Sequence, residues 1–194
     1  MALSGIVDAF LIKVKVKLDN KINFINKQKL LKYAPNLSIG DGFRFDFKKN
    51  AIEIDPKAYV QIKNDVRFRE FCNIMVYKDA SLILEDSVHF NRYCSINCLG
   101  NIRIGKYTIF GEGVKLYDHN HIYENVDSII QNEPCKIGHI TIGSNCWIGA
   151  NVTILNNVTI GDNVVIGAGN LIFKDVPSNV LVKNRTEAIV QVRN

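Results

Sequence analysis

The fold of this chain is decided by residues 142–172, which read IGSNCWIGANVTILNNVTIGDNVVIGAGNLI. An isoleucine recurs there at every sixth position, and a small apolar residue or an asparagine follows each isoleucine four positions later. The two rows are Ile142, Ile148, Ile154, Ile160, Ile166 and Ile172, and Cys146, Val152, Val158, Val164, Asn170 and Val176. A period of six matches neither an α-helix nor a simple β-strand.

This period is typical of a solenoid in which each hexapeptide supplies one short strand and one turn. Three hexapeptides make a triangular coil, and coils stack at the strand spacing of about 4.8 Å. We therefore predict that both rows point into the prism and that Asn170 forms an internal hydrogen bond. Glycine follows four of the isoleucines, and we predict that it occupies a tight corner where a residue without Cβ turns freely.

The repeat can be followed back to Leu84, which predicts a regular β-helix over residues 84–182 within one domain. Its spacing is interrupted by a long excursion at residues 117–140, which contains His119 and His121. A long loop inside a compact repeat is usually functional or disordered. Before the regular part, residues 41–83 alternate apolar and polar side chains and predict irregular early coils in poor register. After it, residues 183–194 are predicted to form a C-terminal tail.

Residues 1–40 place apolar side chains at helical spacing, and a second short helix containing Leu30 and Leu31 is predicted to stop near Pro35. One interpretation is a helical cap over the open end of the solenoid. The other is an amphipathic helix that associates weakly with a membrane surface. The apolar stretch at residues 5–16 is too short to span a bilayer and lacks a signal-peptide cleavage site.

The composition argues against several classes of protein. The 194 residues carry a net charge of +5 and are 47% hydrophobic. The mild positive excess suits an anionic ligand such as a phosphorylated cofactor, and without an aromatic–basic motif it does not predict nucleic-acid binding. Five cysteines are odd in number and form no CxxC pair, which argues against a disulfide framework or a zinc knuckle. We therefore expect a cytoplasmic protein.

Three motifs carry a resemblance to a known family: WIGANVTI at 147–154, VIGAG at 165–169 and KDVPSNV at 174–180. The chain resembles hexapeptide-repeat acyltransferases over roughly residues 84–182, and most closely their maltose, galactoside and capsular-polysaccharide O-acetyltransferase branch. The resemblance implies an all-β fold, a left-handed parallel β-helix. It also implies a homotrimer with active sites between neighbouring prisms, acetyl-CoA as the acyl donor, a saccharide or small-molecule acceptor, and no metal.

The resemblance also implies where the catalytic base lies, because the family's histidine opens the excursion that follows a regular coil. His119 matches that position best, and His121 is the alternative. A histidine can take the proton of a sugar hydroxyl near neutral pH as the hydroxyl attacks the thioester. Asp118 and Glu124 are both candidates to orient the second ring nitrogen of His119. The oxyanion donors are expected among backbone N–H groups near Gly149 and Ala150.

Further site residues are implied by position. The predicted substrate-binding residues are Asn97, Asp118, His121 and Trp147, and the predicted cofactor-binding residues are Trp147, Gly149, Ala150, Ala168, Gly169, Lys174, Lys183 and Arg185. Trp147 should project outward, where it either lines the CoA and acceptor groove or packs in a trimer interface. The family usually has Gly-Asn-Pro-Ala where this chain has residues 183–186, KNRT. Lys183 and Arg185 either hold the phosphates of CoA by charge or mark a changed adenine end of the site.

The leading hypothesis is therefore an acetyl-CoA-dependent O-acetyltransferase that modifies a sugar hydroxyl in surface-polysaccharide biosynthesis. An amino-sugar N-acetyltransferase is the first alternative, although residues 1–83 lack the Gly-rich nucleotide-binding loop that often accompanies it. A zinc carbonic anhydrase needs three histidines around an open metal site, and the spacing of His119 and His121 does not match its usual pair. A catalytically silent β-helix that serves assembly is the remaining alternative.

Overall fold

The computed structural model describes residue 21 and residues 24–124 and 126–184. Residues 24–33 are α-helical (α1), and the rest of the described chain is built mainly from short strands, numbered in chain order. Three parallel sheets of six strands form the faces of a prism. Face A contains β1 (Leu37–Ile39), β3 (Tyr59–Ile62), β6 (Ser81–Leu84), β9 (Asn101–Ile104), β14 (His139–Ile142) and β17 (Val158–Ile160). Face B contains β4 (Arg67–Phe68), β7 (His89–Phe90), β10 (Ile109–Phe110), β15 (Trp147–Ile148), β18 (Val165–Ile166) and β20 (Leu181–Val182). Face C contains β2 (Ala51–Ile54), β5 (Asn73–Val76), β8 (Ser95–Cys98), β11 (Lys115–Tyr117), β16 (Thr153–Ile154) and β19 (Leu171–Ile172).

The excursion between β11 and β14 forms a small antiparallel hairpin. Its strands are β12 (His119–His121) and β13 (Cys135–Ile137), and a 3₁₀ turn at Ile130–Asn132 lies between them. The chain visits face A, face B and face C in turn, so the hairpin leaves the prism at the corner between face C and face A. The described part of the chain is thus a parallel β-helix with one antiparallel excursion. The break in the repeat predicted the excursion but not its hairpin.

The two hexapeptide rows fill the interior, as predicted. The six isoleucines are at most 5% exposed and the second row at most 9%. Inside face B, Phe68, Phe90 and Phe110 stack at centroid distances of 4.4 and 4.3 Å because their strands pair in register. Asn170 donates a hydrogen bond from Nδ2 to the Gly167 carbonyl at 2.7 Å, which confirms its predicted internal role.

The early coils are more regular than the sequence predicts. From residue 51 onward, β2, β3 and β4 pair in register with β5, β6 and β7, so the expectation of irregular coils in poor register is not met there. The coils differ in length instead. Hydrogen-bonded neighbours in adjacent early coils, such as Cys72 and Asn50, are 22 residues apart, against 18 for Ser144 and Asp162. Four-residue strands on faces A and C place two side chains inward, which hides the period of six.

The corner glycines have a different role from the one predicted. After Gly143, Gly149 and Gly161, the left-handed backbone conformation belongs to the asparagine two residues later, with φ of 55° at Asn145 and 57° at Asn163. After Gly167 it belongs to Gly169, with φ of 72°. Gly143 is needed for close approach, because a Cβ there would lie 2.5 Å from the Gly161 carbonyl carbon in the next coil. Asparagine tolerates the left-handed region better than most residues. It also forms a ladder here, since Asn145 Nδ2 donates to Asn163 Oδ1 at 2.8 Å.

Helix α1 confirms the predicted second helix near residue 30. Its Leu30 and Leu31 pack against the buried core next to the first coils, which is the contact expected of a cap. The predicted first helix, with Leu3, Phe10 and their neighbours, lies outside the described residues. Among the described residues, no helix combines the length and apolarity needed to cross a membrane.

All five cysteines are free, and Cys72, Cys94, Cys98 and Cys146 are buried. Burial is the main reason that the pKa values of the Cys98 and Cys146 thiols are raised. These side chains therefore act as small apolar core residues, as predicted for Cys94 and Cys146.

We expect Gly143→Ala to lower the free energy of unfolding by about 1–3 kcal/mol, because the new methyl group must displace backbone of the adjacent coil. Gly167→Ala is the matched control, since a Cβ there would meet its nearest atom, the Val182 carbonyl oxygen, only at 3.4 Å. Neither glycine has a positive φ. Urea denaturation of both variants tests this, and equal destabilisation would show that coil spacing does not require glycine at residue 143.

Candidate active site

A buried carboxylate organises the base of the hairpin. Asp118 follows β11 directly and is fully buried. Its Oδ1 accepts a hydrogen bond from the Leu99 N–H at 2.8 Å, and its Oδ2 accepts one from the Gly100 N–H at 2.8 Å. These two N–H groups belong to the turn between β8 and β9, one coil earlier. Asp118 therefore ties the start of the excursion to the prism.

His119 lies against this carboxylate. Its Nδ1 is 3.3 Å from Asp118 Oδ1, and its side chain is 18% exposed. The ring of Tyr117 packs edge-on against the imidazole, with the centroids 6.5 Å apart. With Asp118 as the acceptor, this contact suits the tautomer that carries its proton on Nδ1, which leaves Nε2 as the proton acceptor. A partly exposed histidine with a buried orienting carboxylate has the arrangement expected of a general base.

The structure decides between the two residues predicted to orient His119. Glu124 is exposed and accepts a hydrogen bond from the Tyr123 N–H at 3.0 Å, which is the main cause of its lowered pKa. Asp118 is the residue in contact with the imidazole. Its prediction as a substrate-binding residue is wrong, because a fully buried side chain whose oxygens bind backbone N–H groups is not accessible to an acceptor.

Two other predicted site residues, His121 and Asn97, lie near His119. Asn120 Nδ2 donates to Asn156 Oδ1 at 3.1 Å, which attaches β12 to the next coil. His121 is exposed at the far end of β12. Asn97 lies on face C in register with Tyr117, and its Nδ2 donates to Ser95 Oγ at 3.0 Å. Asn97 is therefore within the same neighbourhood as His119, on the outer surface of the face that ends at the hairpin.

Tyr117 and the turn at Leu99–Gly100 were not predicted as site residues. In a repeat of six, the step of eight residues from Ile96 to Ile104 is the sequence signal for this turn. It does not show that the N–H groups of the turn face a carboxylate one coil later. Gly100 also allows the hairpin to approach, since a Cβ there would collide with the Gly138 carbonyl oxygen and with Ile137. Tyr117 carries no sequence signal beyond its position two residues before His119.

Trp147 projects outward, as predicted, and is 55% exposed. It lies on face B, where it pairs in register with Ile109 and Val165. His119 lies at the corner between faces C and A, so the two residues are on different sides of the prism. One chain alone does not bring the predicted tryptophan and the predicted base onto one face.

Most predicted cofactor residues share the corner between faces B and C. Ala168 and Gly169 are exposed there, and the Gly169 N–H donates to the Ala150 carbonyl at 2.8 Å. Lys183 is exposed above the same corner, near Gly167. Gly149 is buried, and its N–H donates to the Ile166 carbonyl at 2.8 Å, so its prediction as an oxyanion donor is wrong.

Two predicted cofactor residues lie away from that corner or cannot be placed. Lys174 follows β19 at the corner between faces C and A, where its Nζ lies 5.6 Å from the centroid of the Phe173 ring. Arg185 lies outside the described residues. In residues 24–124 and 126–184, no group of three or more histidine, cysteine, aspartate or glutamate side chains is arranged to hold a metal ion.

Comparison with known proteins agrees with this architecture. The family model "Bacterial transferase hexapeptide (six repeats)" matches residues 139–174. A variant of AntD, an N-acyltransferase from Bacillus cereus, superposes with a TM-score of 0.63 at 21% identity, covering 80% of this chain and 82% of its own. That structure contains dTDP-4-amino-4,6-dideoxyglucose and coenzyme A. No curated protein sequence matches the chain.

A hexapeptide-repeat-containing acetyltransferase from Vibrio cholerae, complexed with acetyl coenzyme A, superposes with a TM-score of 0.51 at 19% identity. The superposition covers 87% of this chain and 77% of the Vibrio protein. At these identities the likeness shows the fold, and it confirms the predicted all-β, left-handed parallel β-helix. The narrower maltose, galactoside and capsular-polysaccharide branch stays a prediction.

We expect Asp118→Ala to lower the free energy of unfolding by about 2–4 kcal/mol, because two buried N–H groups lose their acceptor at once. Glu124→Ala, at an exposed position of the same excursion, should change it by less than about 0.5 kcal/mol. Chemical denaturation measures both values. Equal stability of the two variants would show that Asp118 does not anchor the hairpin.

Proposed function

We propose that this protein is an acetyl-CoA-dependent acetyltransferase in which His119 is the general base and Asp118 its positioning residue. The contact between His119 Nδ1 and the buried Asp118 carboxylate, at 3.3 Å, carries the proposal. This dyad stands at the start of the one excursion in an otherwise continuous described ladder, at the position where the sequence resemblance puts the base.

The proposed reaction is a direct transfer between two bound substrates. His119 Nε2 takes the proton from the acceptor hydroxyl as its oxygen attacks the thioester carbonyl of acetyl-CoA. The tetrahedral intermediate collapses by breaking the carbon–sulfur bond, and the protonated imidazole returns the proton to the thiolate of CoA. Asp118 holds the imidazole orientation and stabilises its protonated form in both steps. The Ala150 N–H, supplied by a neighbouring copy of the chain, remains the proposed donor to the oxyanion.

The acceptor atom is proposed to be a sugar hydroxyl. The same dyad can serve an amine, and AntD is an N-acyltransferase whose structure contains an amino sugar nucleotide, which supports an amino sugar as the second candidate. Matched sugars that differ only by an amine or a hydroxyl at one carbon distinguish the two. We also propose that the protein acts in the cytoplasm, in the synthesis of surface polysaccharide, in line with its free cysteines.

A homotrimer is part of the proposal. His119 and Trp147 lie on different sides of one prism, so a second copy that presents its face B beside the hairpin would complete the site. The outward row on face B supports such a contact, since Ile109, Trp147 and Leu181 are all about half exposed. Sedimentation equilibrium measures the oligomeric state. The proposed association of the N-terminal helix with membranes concerns residues outside the described part.

We expect His119→Ala to lower the rate of acetyl transfer by about 10²–10⁴-fold through loss of general-base catalysis. His121→Ala tests the alternative base, since His121 is exposed on the same strand and contacts no carboxylate among the described residues, and we expect it to lower the rate less than His119→Ala does. Steady-state rates with acetyl-CoA and a sugar acceptor provide the measurement. Wild-type turnover in His119→Ala would reject His119 as the base.

We expect CoA and acetyl-CoA to bind with one site per chain in a calorimetric titration. Trp147→Ala should weaken binding by ~1–2 kcal/mol if the indole packs on the cofactor. Leu171→Ala, which removes an exposed apolar side chain from face C, should leave the affinity unchanged. Absence of binding at millimolar CoA would reject the cofactor, and an unchanged Trp147→Ala affinity would assign Trp147 to another role.

A further inference from the structure

The corner between faces B and C changes character along the prism. In the later coils it is formed by small residues, including Gly149, Ala150, Ala168 and Gly169. In the early coils it carries a cleft of about 490 Å³ with Arg44, Arg69 and Arg92 on its rim and Phe43 in its wall. None of the site residues predicted from sequence lies in this cleft. Its charge therefore requires a separate explanation.

Of the three arginines, only Arg92 forms an ion pair with a carboxylate of the cleft. Glu70 is already matched, since its Oε2 is 2.9 Å from Arg92 Nε and its Oε1 is 3.6 Å from Lys49 Nζ. The hydrogen bond from Arg92 is the main reason that the pKa of Glu70 is lowered to about 2, so this carboxylate is charged at neutral pH. Asp46 Oδ1 accepts a hydrogen bond from the Lys48 N–H of its own turn.

Arg44 and Arg69 are therefore the two arginines of the cleft that form no ion pair with the described residues. Within the described part of the chain, neither guanidinium has a carboxylate within 4.0 Å, and both side chains are exposed. Guanidinium groups match phosphate oxygens with paired hydrogen bonds, and arginine is favoured over lysine where this geometry matters. The donors left free in the cleft thus suit a phosphate ester.

An aromatic pair borders the arginines. Phe71 follows Glu70, Tyr93 follows Arg92, and the two rings stack at a centroid distance of 5.2 Å while each is more than half exposed. Both residues have a left-handed backbone, with φ of 64° and 60°. The equivalent turn positions of later coils are Gly113, Asn151 and Gly169. Bulky residues are rare in this conformation, so the exposed aromatic pair replaces residues better suited to the turn.

We propose that this corner binds the diphosphate of a diphosphate-linked sugar, and that this sugar is the acceptor of the acetyl group. This inference rests on the acetyltransferase activity proposed above. Arg44 and Arg69 bind the phosphate oxygens, and the ring pair at Phe71 and Tyr93 stacks on the group beyond the diphosphate. The sugar extends the other way, across the outer surface of face C, past Ser95 and Asn97.

The dimensions of face C fit this placement. The strand residues from Ser95 to Asn97, which begin three positions after Arg92, cover about 7 Å of face C at the usual rise per strand residue. Asn97 pairs in register with Tyr117, which contacts His119. The outward side chains along this path are polar, namely Ser95, Asn97 and Lys115. An acceptor anchored at the arginine corner therefore directs its sugar toward the proposed base, while the small-residue corner in the later coils is left to CoA.

The test is equilibrium binding of UDP-glucose, dTDP-glucose and farnesyl diphosphate, with glucose as the neutral reference. Saturating CoA is present throughout, because CoA itself carries phosphates. The test variant carries the double substitution Arg44→Gln/Arg69→Gln. The control variant, Lys57→Gln/Lys106→Gln, removes two positive charges from exposed positions at the other two corners. We expect diphosphates to bind to the wild type, glucose to bind much more weakly, and the arginine variant to lose about tenfold or more in diphosphate affinity. The lysine control should stay within about twofold, since distant surface charges are screened by salt.

The two probe types distinguish the sources of the diphosphate. Tighter binding of the nucleotide sugars, reduced by Tyr93→Gly, supports a nucleotide-linked acceptor stacked on the ring pair. Equal or tighter binding of farnesyl diphosphate supports a lipid-linked acceptor. No diphosphate binding at millimolar concentration in the presence of CoA, or equal affinities in the arginine variant and the lysine control, would overturn the proposal. Diphosphate binding is measured without catalysis, and the affinity for CoA is measured in a separate titration. Failure of the acetyltransferase proposal is therefore distinguished from failure of the diphosphate site.

Discussion

Hydrogen bonds between stacked coils are the constraint on which the rest of this structure depends. Each coil donates its strand and corner N–H groups to carbonyls of its neighbour, as in the contacts from Trp147 to Val164 and from Gly149 to Ile166 at 2.9 and 2.8 Å. This spacing leaves no room for a Cβ at several corners. It also aligns identical positions of successive coils, which is why phenylalanines stack inside the prism and asparagines form a ladder outside it.

The candidate site arises where this regular bonding is interrupted. At the corner between faces C and A, the chain leaves the prism, and the N–H groups of Leu99 and Gly100 bind a side chain in place of a carbonyl. Asp118 supplies both acceptors, because buried N–H groups need partners. The same carboxylate contacts His119. One buried side chain thus binds the backbone at the break and contacts the proposed base.

The residues at the corner between faces B and C differ in charge and size between the early and the later coils. The early coils concentrate arginines and exposed aromatic rings at the corner between faces B and C, and the later coils present small residues at the same corner. Small residues permit close approach of an extended ligand to backbone, whereas arginines bind compact anionic groups. The β-helix can therefore place two different ligands along one edge without any change of backbone architecture.

The sequence by itself determined the solenoid, its two inward rows, the outward Trp147 and the break that opens before His119. These features depend on the period of six, which local sequence displays directly. Only the tertiary structure decided the register of the early coils, where longer strands hide the period. It also showed that Gly143 is needed for close contact between coils and that the Gly149 N–H is bound to a carbonyl of the next coil. Of Asp118 and Glu124, it showed that Asp118 contacts His119. Each of these outcomes depends on a contact with another coil or with the hairpin. Such contacts join residues that are far apart in the chain, so no local sequence pattern reveals them.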